Sequence, residues 1–133
     1  MVAQSLKYKR RILVVDDEEE CRTFLCDCLG QWQYEVIQAS SGREALDELP
    51  RWPVDIVLLD MAMPHMDGAE TLREIKRRYP DMTVFMMSAL MTPRLKQHVF
   101  QWGARGCLEK PIEQAALSLA LISSPSPSGW ADS

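Results

Sequence analysis

The sequence predicts an α/β fold in which five parallel strands alternate with five helices in a doubly wound sheet. Short apolar runs recur along the chain, separated by stretches whose apolar residues fall at three-and-four spacing. The run Ile56-Val57-Leu58-Leu59 is apolar throughout, as a strand covered on both faces must be. Each run then stops on a polar residue followed by a turn or helix start, the pattern of strand–helix–strand crossovers. Right-handed crossovers gather the C-terminal ends of such strands at one edge of the sheet.

Taken in order, residues 1–9 are a polar lead-in and residues 11–15 (RILVV) are the first strand, ending on Asp16-Asp17. From Glu18, the residues Cys21, Phe24, Leu25, Cys28 and Leu29 share a helical face, and that helix is expected to stop near Gly30. Residues 34–39 form a less apolar strand, as an edge strand would be. Ser40-Ser41-Gly42 opens a short helix carrying Ala45, Leu46 and Leu49, closed by Pro50 and Pro53. The central strand ends on Asp60, and Pro64 and Asp67-Gly68 mark the loop behind it. A helix over 68–79 turns Leu72, Ile75 and Tyr79 inward until Pro80-Asp81 breaks it. Residues 83–87 are a strand ending on Ser88. A helix over 93–102 begins with Pro93 where its missing N–H does no harm, and Gly103 ends it. Residues 105–109 close on Lys110-Pro111, and 112–122 form the last helix. One domain is expected over 10–122, followed by a Ser/Pro-rich tail or linker over 123–133.

The totals narrow the classes of function. With 133 residues, 47% hydrophobic and 26% charged, the chain has globular composition and enough length for a core. A net charge of −4 and a pI near 5.2 argue against nucleic acid or an anionic membrane as partner. The most apolar run, 115–122, is far short of the roughly 20 residues a spanning helix needs. No signal sequence is visible, and Cys21, Cys26, Cys28 and Cys107 have neither zinc spacing nor a secreted-protein framework. A cytoplasmic setting is expected. His65 and His98 have no ligand spacing around them, and the methionines read as gap-filling core.

The chemistry lies in the strand ends. Alone, each has a plain structural reading. Asp17 with Glu20 fits a capping box, Asp60 could turn the chain, Ser88 could cap a helix, and Lys110 could be a surface lysine. Together they place three carboxylates, a hydroxyl and an ammonium at one sheet edge. Crowded carboxylates raise one another's pKa unless positive charge sits between them. A hard divalent cation with few protein ligands, Mg²⁺, fits that need. Metal, ammonium and hydroxyl around one carboxylate are what a phosphoryl group requires. The first strand-to-helix turn reads DDEEE and is not glycine-rich, which disfavours NAD and flavin phosphate.

These residues resemble the receiver domains of two-component response regulators, over about 11–122. The resemblance rests on Asp16-Asp17, on Asp60 followed by Met63-Pro64 and Met66-Asp67-Gly68, on Ser88-Ala89, and on Lys110-Pro111. It implies a flavodoxin-like sheet of order 2-1-3-4-5. It implies Asp60 as phosphoacceptor for a sensor histidine kinase or phosphotransfer protein, and a signalling domain rather than an enzyme. Mg²⁺ would be held by Asp17, Asp60 and the backbone carbonyl of Ala62, with Asp16 acting through water. Lys110 and Ser88 would contact phosphoryl oxygens, and the Lys110–Pro111 peptide would be cis. One departure stands out: Cys107 occupies a position usually held by Tyr or Phe. The switch is then expected to run through residues 88–92 and the helix after them. Ala62 and Leu90, unable to orient water, suggest slow self-dephosphorylation. The last helix, apolar nearly all round, expects cover by a second copy through the fourth and fifth helices, or by a downstream domain.

Two other functions compete. A haloacid-dehalogenase-type phosphatase shares the ingredients, but it wants an acid where Ala62 stands and a cap domain for which no residues remain. A receiver-like scaffold that is never phosphorylated has only Cys107 in its favour.

Overall fold

The strands of the computed structural model end where the apolar runs break off. The structure describes residues 9–124. β1 (Arg11–Val15), β2 (Glu35–Ala39), β3 (Ile56–Asp60), β4 (Thr83–Ser88) and β5 (Gly106–Glu109) form one parallel sheet in the order β2-β1-β3-β4-β5. The helices between and after them are α1 (Glu19–Gln31), α2 (Gly42–Glu48), α3 (Gly68–Arg78), α4 (Pro93–Gln101) and α5 (Gln114–Ile122).

Side-chain alternation sorts the core into two layers. Ile12, Val14, Ile56, Leu58, Phe85 and Met87 pack against Leu25 and Leu29 of α1 and Leu117 and Leu121 of α5. Leu13, Val15, Val57, Leu59, Val84 and Met86 face the other way, onto α2, α3 and α4. The inner strands are therefore buried on both faces, and β3 is buried along its whole length. Each large side chain so enclosed contributes about 1.5–3 kcal/mol relative to exposure. Val15 pairs with Leu59 and Asp60 with Met87, so β1, β3 and β4 end nearly level.

Local signals set several helix starts. Thr92 caps α4, its hydroxyl accepting from the Leu95 N–H at 3.1 Å, with Pro93 behind it. Asp67 caps α3 in a full capping box with Glu70, and Gly68 packs directly under β3. A Cβ at Gly68 would lie 2.3 Å from the Asp60 carbonyl oxygen, so only glycine lets α3 approach the end of that strand.

α1 departs from expectation in two ways, at its start and along its inner face. The capping box of Asp17 with Glu20 does not form. Glu18 is the N-cap, without a side-chain cap, because Asp16 Oδ1 accepts the Glu18 N–H at 2.9 Å and keeps the chain extended one residue longer. The helix runs to Gln31, as the stop expected near Gly30 has it, and the left-handed residue beyond it is Gln33 (φ 71°). Phe24 is not core but 37% exposed, and Cys21 is only partly covered. α5 buries Leu117 and Leu121 but leaves Leu119 and Ile122 67% and 75% exposed. The tail expected from residue 123 falls, from 125 onward, outside the described residues. Among the described residues no helix is long and apolar enough to cross a membrane.

Candidate functional site

Four segments converge beyond the level strand ends. Asp16 leaves β1, Asp60 ends β3, Ser88 ends β4 and Lys110 follows β5. Backbone bonds hold these ends together: the Met61 N–H donates to the Met87 carbonyl and the Lys110 N–H to the Ser88 carbonyl, both at 2.8 Å. Asp16 and Asp60 are buried, at 0% and 3% exposure, while Asp17 is exposed. Ligand oxygens of Asp16, Asp17 and Asp60 nonetheless lie within 4.8 Å of one another.

Lys110 answers this charge from above. Its Nζ lies 2.7 Å from Asp16 Oδ2, 3.2 Å from Asp60 Oδ1 and 3.5 Å from Glu18 Oε1. The Lys110–Pro111 peptide is cis. Three clustered carboxylates against one ammonium leave an excess of negative charge in a poorly solvated place. Burial first, then the neighbouring Asp16, pushes the Asp60 carboxyl up to about 6; Lys110 and the Ala62 N–H, which donates to it, pull the other way. Burial acts against the Lys110 ammonium, but Asp16 and Asp60 outweigh it and hold its pKa above the usual lysine range. This donor set is all oxygen and short by positive charge, so it suits a hard divalent cation.

Of the residues singled out from the sequence, Asp16 and Asp60 meet Lys110 directly, and Asp17 lies beside both acids. Ser88 stands at the rim on β4, half-buried, its Oγ accepting the Leu90 N–H at 3.1 Å. Ala62 is exposed beside Asp60, and Leu90 is 72% exposed at the end of β4. Cys107 packs half-buried against the α2–α4 layer of the core. Met63, Met86, Met87 and Met91 are buried core, as their pattern suggested.

Three site residues escaped the sequence reading. Glu18 passed for a helix start, yet its carboxylate reaches Lys110. Arg22 donates from Nη1 to the Asp16 carbonyl at 2.6 Å and from Nε to Gln38, pinning the β1–α1 turn. Cys21, on the helical face it shares with Leu25 and Cys28, touches the site: burial and a hydrogen bond with the Asp16 carboxylate push its thiol up to about 12, so it stays protonated. A cavity of about 490 Å³ opens beside Lys110, lined by Glu18, Glu20, Cys21, Phe24, Ala89, Pro111 and Ile112.

A model of the response regulator receiver domain matches residues 12–122 of this chain. The chain belongs to the response regulator receiver family. The receiver domain is 40% identical over 114 residues to transcriptional regulatory protein ZraR of Escherichia coli, covering 83% of this chain but 26% of ZraR. It is 33% identical over 117 residues to the CAI-1 autoinducer sensor kinase/phosphatase CqsS of Vibrio cholerae, covering 86% of this chain and 17% of CqsS. The chain thus spans about a quarter or less of these two proteins. The crystal structure of the Vibrio cholerae chemotaxis protein CheY4 superposes with a TM-score of 0.83 at 30% identity, over 86% of this chain and 98% of that one. The fold is therefore the CheY-like, flavodoxin-type sheet of order 2-1-3-4-5.

Proposed function

We propose that this receiver domain, spanning 10–122, accepts a phosphoryl group on Asp60 from a sensor histidine kinase or phosphotransfer protein. The observation carrying that reading is the buried Asp60 carboxylate, 3.2 Å from the Lys110 ammonium and within 4.8 Å of Asp16 and Asp17 oxygens. Asp17, Asp60 and the Ala62 carbonyl would hold Mg²⁺, with Asp16 acting through water. Bound there, Mg²⁺ supplies charge stabilisation for a phosphoryl group. The chain's own residues do the rest. The Ala62 N–H orients Asp60, Lys110 neutralises a phosphoryl oxygen, and the Ser88 hydroxyl, whose oxygen accepts the Leu90 N–H, donates its proton to another.

Turning Ser88 toward the phosphoryl group draws the Ser88–Thr92 turn with it through the Leu90 N–H bond, and α4 begins at the end of that turn with the Thr92 cap. The half-buried thiol of Cys107 lacks the aromatic ring that relays such a movement in the family. The shift therefore passes through the turn and α4 to the surface of α4, β5 and α5. The exposed Leu119 and Ile122 support a homodimer through α4 and α5, formed on phosphorylation. Ala62 and Leu90 offer no group to orient attacking water, which favours an acyl phosphate lasting hours. The domain acts in the cytoplasm as a signalling module rather than as an enzyme turning over substrate.

Incubation with Mg²⁺ and acetyl phosphate should add one hydroxylamine-labile phosphate to the wild type and none to Asp60→Asn. The dimer fraction by light scattering should rise in step. Equal incorporation into both proteins would refute the assignment.

A further inference from the structure

Lys110 is held by a third acid that the phosphoacceptor chemistry does not use. The Glu18 carboxylate is 68% exposed and lines the 490 Å³ cavity together with Lys110, its Oε1 3.5 Å from Lys110 Nζ. Its backbone is fixed, because the Glu18 N–H donates to Asp16 Oδ1 at 2.9 Å and the residue caps α1. The exposed Glu18 side chain thus shares the Lys110 ammonium with the buried Asp16 and Asp60. Glu20 lines the same cavity, whose remaining walls are largely apolar: Phe24, Ala89, Pro111 and Ile112.

We infer that Glu18 is a donor-specificity residue, one that disfavours loading of Asp60 by small phosphate-bearing anions. The inference rests on Asp60 being the phosphoacceptor. In the transfer from acetyl phosphate, an Asp60 carboxylate oxygen forms the new P–O bond as the bond to the acetyl oxygen breaks. The dianionic phosphoryl group moves to Asp60, and acetate leaves with the displaced electron pair. The donor must bring its charge close to Glu18, which shares Lys110 with Asp60, and Lys110 must turn toward the phosphoryl oxygens and away from Glu18. Both effects slow a small anionic donor. A protein donor that carries a lysine or arginine beside its phosphoryl group pairs that cation with Glu18 and escapes the penalty.

The test compares second-order phosphorylation rates of wild type, Glu18→Gln, Glu18→Asp and Glu20→Gln with Mg²⁺. Acetyl phosphate and the less anionic phosphoramidate serve as donors at low and high KCl. Glu18→Gln should load faster from acetyl phosphate by about threefold at low salt, the size expected of an exposed ion pair. The gain should shrink at high salt and be smaller with phosphoramidate. Glu18→Asp, which keeps the charge, should stay near wild type, and Glu20→Gln, which has no contact with Lys110, should gain less. Equal rates for Glu18→Gln and wild type, or a gain indifferent to salt and donor charge, would overturn the inference. A wild type that takes no phosphate on Asp60 would instead overturn the phosphoacceptor assignment.

Discussion

Replacing Asp60 by asparagine should make the domain more stable, and by an amount the site geometry sets. The Asp60 carboxyl is pushed from 3.8 to about 6 by burial and by Asp16, with the pull of Lys110 already included. A gap of about two units at about 1.4 kcal/mol each makes about 3 kcal/mol the ceiling on the cost of ionising it in the folded state. Local relaxation lowers the expected gain to about 1–3 kcal/mol. The sign follows from the direction of the shift. Below about pH 4 the carboxyl is protonated whether folded or not, and the penalty is absent. It grows as pH rises toward the folded value of about 6 and is complete above that. Urea unfolding in EDTA, with wild type and Asp60→Asn compared at pH 7.5 and again near pH 4, reads both ends of this window. The variant should lead at the higher pH and converge with wild type at the lower. A variant no more stable at pH 7.5, or a lead that persists unchanged near pH 4, would show that charge crowding is not what Asp60 experiences.

Three further substitutions probe the surroundings. Lys110→Ala strips the cation from two buried acids and should lower stability at pH 7.5 by about 3 kcal/mol in urea, with the loss narrowing as pH falls through the range where Asp60 takes up a proton. Gly68→Ala forces a methyl against the Asp60 carbonyl oxygen, so a loss of about 2 kcal/mol or more is expected in the same assay. His65 holds a left-handed backbone at φ 69° in the loop behind Asp60; His65→Gly should gain about 0.5–1 kcal/mol by thermal unfolding, and a loss would contradict the strain argument.

The strands and their order were legible because β3 and its neighbours are buried on both faces, and burial on both faces leaves an unbroken apolar run in the sequence. The convergence of Asp16, Asp60 and Lys110 was legible for a related reason: parallel crossovers force strand ends together, so a polar residue at each end is enough. The start of α1 was harder. Asp17 and Glu20 have the spacing of a capping box, but Asp16 takes the Glu18 N–H, a competition between neighbours that spacing cannot show. The capping box that does form, Asp67 with Glu70, was there to be read and was overlooked beside the Asp67-Gly68 turn signal. Phe24 shares a helical face with Leu25 and Cys28, yet it lies at the edge of that face, where α1 meets the open cavity instead of the sheet. Glu18, one of three consecutive glutamates, gives no sign in the sequence that it alone reaches Lys110.

A divalent cation bound beside Lys110 would offset the repulsion among carboxylates that share one sheet edge. The most direct measurement is the unfolding free energy as a function of Mg²⁺ concentration, for wild type and for Asp60→Asn. Wild type should gain about 1.4 kcal/mol when Mg²⁺ reaches ten times its dissociation constant, and the variant, missing a ligand, should gain much less at the same concentration. A wild-type curve indifferent to Mg²⁺, or one matched by the variant, would contradict it.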